Sequence, residues 1–123
     1  MVKVCLYVKT GTYGKLTDKP ADATLHPGGS LRLNCRSDIN DTHVEWSKTK
    51  GGSTKTQQVA SGGVLTTDFR DLFTINASNL EATRTSDTES YCGTYECLDN
   101  NGAGETATAT VSSKRSQHSC VVY

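Results

Sequence analysis

Residues 93–97, Gly-Thr-Tyr-Glu-Cys, form the stretch of this sequence that best predicts its fold. Tyr95 and Cys97 alternate with a polar and a charged residue, so both lie on one face of a predicted β-strand. An earlier stretch, residues 30–35 (Ser-Leu-Arg-Leu-Asn-Cys), alternates in the same way and ends in Cys35. Two strands with one apolar face each predict sheets that bury one side and leave the other in water.

The same period of two continues through the rest of the chain. Residues 42–48 (Thr-His-Val-Glu-Trp-Ser-Lys) direct Val44 and Trp46 to one face. Turn signals rich in glycine separate the strands, and they lie at residues 26–29, 50–53, 61–63 and 100–104. Short strands divided by turns predict an all-β sandwich or barrel. Residues 79–84 are the one weak candidate for a helical turn.

Taken together, these segments resemble immunoglobulin domains of the variable and intermediate types. Residues 28–35 are similar to the B strand of that family, and residues 44–46 (Val-Glu-Trp) to its C strand. Asp87 and residues 93–97 resemble the D-x-G-x-Y-x-C signature of the F strand, here split by four extra residues, 89–92. The resemblance covers residues 21–113 and implies a two-sheet antiparallel β-sandwich with Greek-key connections.

The resemblance also assigns the core. It implies that Cys35 and Cys97 form the disulfide between the two sheets and that Trp46 packs against it. It implies further that the Tyr95 hydroxyl bonds back to the backbone before its strand, as in a tyrosine corner. The four extra residues separate Asp87 from Tyr95, so we expect this corner to be altered.

Three further cysteines, Cys5, Cys92 and Cys120, complete an odd total of five. We predict that Cys92 pairs with Cys120, because residues 114–120 are long enough to return from the last strand to the inserted segment. Pairing of Cys5 with either of the other two, and an unpaired Cys92, remain alternatives. So does a cytosolic protein in which every cysteine is reduced.

Composition and motifs argue against several classes of function. The 13 basic and 13 acidic residues cancel, which excludes a strong global attraction to nucleic acid or to an anionic membrane. No apolar run approaches the roughly 20 residues of a membrane-spanning helix. No nucleophile, phosphate-loop or metal-ligand pattern is present, so we expect no catalytic residue, cofactor or metal, and no enzyme. Lys48, Lys50 and Lys55 are interpreted as a solvated basic cluster.

The chain is predicted to contain three parts: an N-terminal extension or A strand at 1–20, the domain at 21–113 and a tail at 114–123. By analogy with the family, we expect an extracellular recognition or adhesion module, secreted or the outer part of a receptor. The glycosylation sequons at Asn40 and Asn76 favour this location. The alternative is a structural intermediate-set domain of a large intracellular cytoskeletal or sarcomeric protein.

Members of this family usually bind through the sheet that contains strands C, F and G. Glu45, Glu96 and Leu98 would point outward from that sheet, so we predict that they lie at the contact surface. The expected partner is another protein or a second copy of this chain, with no nucleic acid and no membrane insertion.

Overall fold

The computed structural model describes residues 15–38, 40–83, 87–100 and 104–113. Within these ranges the chain forms strands and single turns of 3-10 helix. The strands are β1 (Leu16–Asp18), β2 (Ala23–Leu25), β3 (Leu31–Leu33), β4 (Arg36–Ser37), β5 (Val44–Thr49), β6 (Thr56–Ser61), β7 (Val64–Leu65), β8 (Thr74–Asn76), β9 (Asn79–Ala82), β10 (Gly93–Asp99) and β11 (Thr106–Ser113). The 3-10 helices are η1 (Asp41–His43), η2 (Thr67–Phe69) and η3 (Thr88–Tyr91).

Two main sheets form the sandwich. The larger has six strands in the order β2-β11-β10-β5-β6-β7, and the smaller has three in the order β3-β9-β8. β1 and β4 form a separate two-stranded pair. β2 runs parallel to β11, whereas the other pairs are antiparallel. This arrangement confirms the predicted all-β immunoglobulin-like sandwich.

The predicted disulfide between Cys35 and Cys97 is present and spans the two sheets, with 6.6 Å between the Cα atoms. Both cysteines are fully buried. Trp46 is the register partner of Cys97 on the neighbouring strand and belongs to the same core cluster. Its indole Nε1 donates a hydrogen bond of 2.8 Å to the backbone oxygen of Ser78. The largest buried side chain therefore also satisfies its one polar atom.

The inserted segment, residues 89–92, lies mostly in η3 and preserves the tyrosine corner. The hydroxyl of Tyr95 donates a 2.6 Å hydrogen bond to the backbone oxygen of Tyr91, four residues upstream. The Tyr91 hydroxyl in turn donates to the backbone oxygen of Leu72 at 2.8 Å. Phe73 packs edge-on against both tyrosine rings, with centroid distances of 5.3 and 5.9 Å. The expectation of an altered corner is therefore wrong in this respect, because the inserted residue Tyr91 supplies the backbone oxygen that accepts from Tyr95.

Two local predictions were wrong. The weak helical candidate at 79–84 begins instead with β9, because Leu80 is fully buried and the Asn79 Oδ1 accepts a 2.8 Å hydrogen bond from the Cys35 backbone. The strand predicted over 42–48 begins only at Val44. Residues 41–43 form η1 because the Asn40 side chain caps it, accepting from the Thr42 backbone at 3.0 Å.

Lys48 also differs from its prediction as a solvated residue. Its side chain is buried, with 6% exposed, and its Nζ donates a 2.7 Å hydrogen bond to the backbone oxygen of Ser90. The ammonium lies 5.8 Å from the ring centroid of Phe69 and 5.5 Å from that of Tyr95. Burial, together with repulsion from Lys50, lowers the pKa of Lys48 to about 8. The buried Lys48 side chain therefore links β5 to the inserted segment through its hydrogen bond to Ser90.

Some predictions concern residues beyond those described. Cys5 and Cys120 lie outside the described residues, as do the tail at 114–123 and residues 1–14. Cys92 itself is buried at the end of η3. Its predicted pairing with Cys120 stays a prediction.

Candidate functional site

The three residues predicted at a contact surface come together in the middle of the six-stranded sheet. β5 and β10 are adjacent and antiparallel, and their register pairs Glu45 with Leu98 and Ser47 with Glu96. Since Trp46 and Cys97 point into the sandwich, their sequence neighbours point outward. Glu45 and Leu98 are half-buried, and Glu96 is exposed. The strand period therefore places one apolar and two acidic side chains next to each other on the outer face.

A hollow of about 260 Å³ lies on this face between β5, β6 and β10. It is lined by Glu45, Trp46, Ser47, Thr56, Gln58, Glu96 and Leu98. The lining contains two carboxylates and an apolar side chain, with hydroxyl and amide groups on the β6 side. We call this feature the acidic hollow.

A β-bulge on β6 accompanies the acidic hollow. Trp46 pairs with Ala60 and Ser47 with Gln58, so that Val59 is an extra residue on β6. Thr66 supports the bulge with two hydrogen bonds. Its hydroxyl donates to the Gln58 backbone oxygen at 2.8 Å, and its backbone nitrogen donates to the Val59 backbone oxygen at 2.9 Å. Bulges bend a strand and re-aim its side chains. Here the bulge turns Val59 into the core and leaves Gln58 at the acidic hollow.

The described outward side chains of this face carry charge of one sign only. On the strands that form its centre, β5, β6, β10 and β11, the register directs Glu45 and Glu96 outward together with hydroxyl, amide and leucine side chains. Lys48 points inward. Lys50 directly follows the last residue of β5, and Lys55 directly precedes the first residue of β6. The described outward positions of these four strands therefore carry two negative charges and no cation.

Asn100 fixes one of the two carboxylates. It follows β10 directly, and its Nδ2 donates a 2.5 Å hydrogen bond to the Glu45 Oε2. The Asn100 backbone nitrogen donates to the His43 oxygen at 2.8 Å, which anchors Asn100 against the start of β5. The Glu45 side chain is therefore oriented from its own sheet before any partner arrives.

Three exposed threonines of β11 lie next to this site, on the side of β10 away from β5. Thr106, Thr108 and Thr110 are exposed, and the register places them opposite Leu98, Glu96 and Thr94. Their short side chains leave the carboxylate of Glu96 accessible from that side. The rim of a protein interface is polar and solvent-accessible, and these exposed threonines meet that description.

A comparison with models of protein families matches residues 21–110 to the immunoglobulin domain. The chain belongs to the immunoglobulin family. The match contains both cysteines of the disulfide and ends within β11. A comparison with curated proteins finds no match. Membership of the immunoglobulin family suggests a protein-interaction module, since immunoglobulin domains are typically non-enzymatic binding modules.

The predicted glycosylation sequons of this immunoglobulin domain lie side by side. Asn40 and Asn76 are both exposed. The hydroxyl of Ser78, which completes the second sequon, lies 3.3 Å from the Asp41 Oδ1 of the first, and it also donates to the Cys35 backbone oxygen. The two sequons are therefore neighbours in the fold.

Two further observations concern other classes of site. In the described ranges, no group of three or more His, Cys, Asp or Glu side chains is arranged to hold a metal ion. None of the short helices there has the length and apolar character that a membrane crossing needs.

Glu45, Glu96 and Leu98 were predicted from the sequence to share the outer face, whereas Asn100, Gln58 and the bulge were not predicted, and a contact at these residues stays a prediction. Asn100 stands in a turn signal, which does not indicate a carboxylate partner 55 positions away. The bulge has no glycine or proline to mark it in the sequence of β6.

Proposed function

We propose that this immunoglobulin domain is an extracellular recognition or adhesion module that binds another protein through the outer face of β5, β6, β10 and β11. The observation that carries the proposal is the acidic hollow on that face, which Leu98 helps to line. Interfaces combine a desolvated central anchor with a polar rim. Leu98 and the floor of the hollow supply the anchor site, and the β11 threonines supply part of the rim.

An extracellular location is supported by the covalent structure. The disulfide joins residues 62 positions apart and lies in the centre of the core. Such bonds persist in oxidising compartments and are rare in the cytosol. The exposed sequon residues Asn40 and Asn76 agree with a secreted or cell-surface chain.

We also infer that the domain is of the variable-like type. Constant-type immunoglobulin domains have three strands in the sheet that contains C, F and G, and variable-type domains add C′ and C″. Here β6 and β7 continue the sheet beyond β5, in the position of those two strands. The extra strands widen the sheet, and β6 forms one wall of the acidic hollow.

A binding screen followed by surface substitution tests the proposed function. The domain, displayed as a tetramer to raise avidity, is offered to an array of purified cell-surface and secreted ectodomains. For an ectodomain that binds, the triple variant E45A/E96A/L98A is expected to weaken binding at least tenfold without loss of folding.

A matched triple variant on the opposite sheet is the control. Arg32, Glu81 and Thr74 form a row across β3, β9 and β8, and Arg32 pairs with Glu81 at 3.4 Å. The variant R32A/T74A/E81A is expected to leave binding unchanged. If this control weakens binding and E45A/E96A/L98A does not, the proposed face is wrong.

A further inference from the structure

We propose that the partner inserts an arginine side chain into the acidic hollow, with its guanidinium group between Glu45 and Glu96. This inference rests on the proposed function, because it specifies the partner of the same face. Its basis is a concave site that contains two carboxylates and an apolar side chain, on strands whose described outward positions carry no cation.

The register sets the spacing of the two carboxylates. Glu45 lies opposite Leu98, and Glu96 is two residues before Leu98 on the same strand. The two glutamates are therefore diagonal neighbours, whose Cα atoms are about 7–8 Å apart in antiparallel sheets. A planar guanidinium has five N–H donors on several edges and can bond to two carboxylates at once, whereas a lysine ammonium is a point charge.

The surroundings of the acidic hollow suit the rest of an arginine side chain. Leu98 is half-buried beside Glu45 and offers apolar contact to the three methylene groups. Ser47 and Gln58, also at the hollow, provide polar side chains near the charged end. Asn100 already holds the Glu45 carboxylate, so little side-chain entropy is lost when the cation binds.

The same charges argue against a second copy of this chain as the partner on this face. A two-fold dimer brings identical patches together. Because the described outward positions of β5, β6, β10 and β11 carry two carboxylates and no cation, such a dimer would place four carboxylates at its centre. Like charges facing each other are unfavourable across an interface. A two-fold dimer centred on the acidic hollow is therefore unfavourable, which supports a partner other than a second copy of this chain.

The inference is tested by titrating the isotope-labelled chain with small probes and following backbone amide shifts by NMR. The probes are N-acetyl-arginine amide, N-acetyl-lysine amide and N-acetyl-citrulline amide, the last of which has nearly the shape of arginine without its charge. We expect saturable shifts at Glu45, Ser47, Glu96 and Leu98 with arginine, with a dissociation constant on the order of tens of millimolar. Raising the salt to about 0.5 M should weaken this binding.

Two double variants make the test specific. E45Q/E96Q retains the shape of the acidic hollow and is expected to weaken arginine binding at least about fivefold. D68N/D71N neutralises an exposed pair of carboxylates elsewhere on the domain and is expected to leave it unchanged.

Three results would overturn the inference: equal shifts with citrulline, equal affinity for lysine, or arginine shifts centred on other carboxylates. These outcomes are independent of the ectodomain screen. If E45A/E96A/L98A abolishes ectodomain binding while citrulline equals arginine, only the arginine inference fails. If E45A/E96A/L98A leaves ectodomain binding unchanged while arginine still binds in the acidic hollow, the proposed function fails and the arginine site remains.

Discussion

Removal of the disulfide between Cys35 and Cys97 should lower the free energy of unfolding by about 4 kcal/mol. The bond joins residues 62 positions apart. For a loop of this length, the chain-entropy model gives about 4 kcal/mol of stabilisation through restriction of the unfolded chain. A domain of this size is stable by only about 5–15 kcal/mol. The double variant C35A/C97A is therefore expected to lose a large part of its stability.

The assay is urea unfolding followed by the fluorescence of Trp46, the single tryptophan, which packs in the same core. With a slope of about 1–3 kcal/mol per molar urea, the unfolding midpoint should fall by about 1.3–4 M. The variant C35V/C97V controls for packing, because valine restores volume but not the cross-link. If valine brings the stability to within about 1 kcal/mol of the wild-type value, the entropic reasoning is refuted.

Three other predictions concern the inserted segment. Because the pKa of Lys48 is lowered to about 8 in the folded state from 10.5, the unfolded chain binds more protons between these values, and stability should rise with pH there. In urea unfolding, the free energy of unfolding should rise by on the order of 1 kcal/mol between pH 7.5 and 9.5, and the variant K48M should lack this rise. A rise of equal size in K48M would contradict the assignment of the pH dependence to Lys48. Y95F should cost about 1–2 kcal/mol in the same assay, because it leaves the buried Tyr91 oxygen without its donor, and an unchanged stability would contradict a structural role for the bond. Peptide mapping without reduction should recover a fragment that joins Cys92 to Cys120, and a fragment that joins Cys5 to either would refute this pairing.

The faces of the strands could be predicted from the sequence because the strand period is two. Once Trp46 and Cys97 are directed inward, Glu45, Glu96 and Leu98 must point outward, and the structure agrees. The disulfide followed from the resemblance to immunoglobulin domains rather than from the period alone. These features depend on local alternation or on motifs that the sequence contains.

The features that sequence reasoning missed depend on contacts between distant residues. The period of two directs Lys48 inward, on the same face as Trp46, but its charge favoured a solvated position. Burial of its ammonium group costs free energy unless the group is hydrogen-bonded. The acceptor is the backbone oxygen of Ser90 in η3, which lies 42 positions later in the chain. The bulge at Val59 likewise depends on Thr66, which satisfies the backbone groups of β6.

A cross-saturation NMR measurement on the complex with a bound ectodomain identifies the face of the domain that contacts the partner. Saturating the protons of the ectodomain reduces the amide signals of the domain residues in contact with it. We expect the largest losses at Glu45, Glu96 and Leu98, with little change at Arg32 and Glu81 on the opposite sheet. Losses centred on Arg32 and Glu81, with the signals of the β5 and β10 outer face unaffected, would contradict the claim that this face binds the partner.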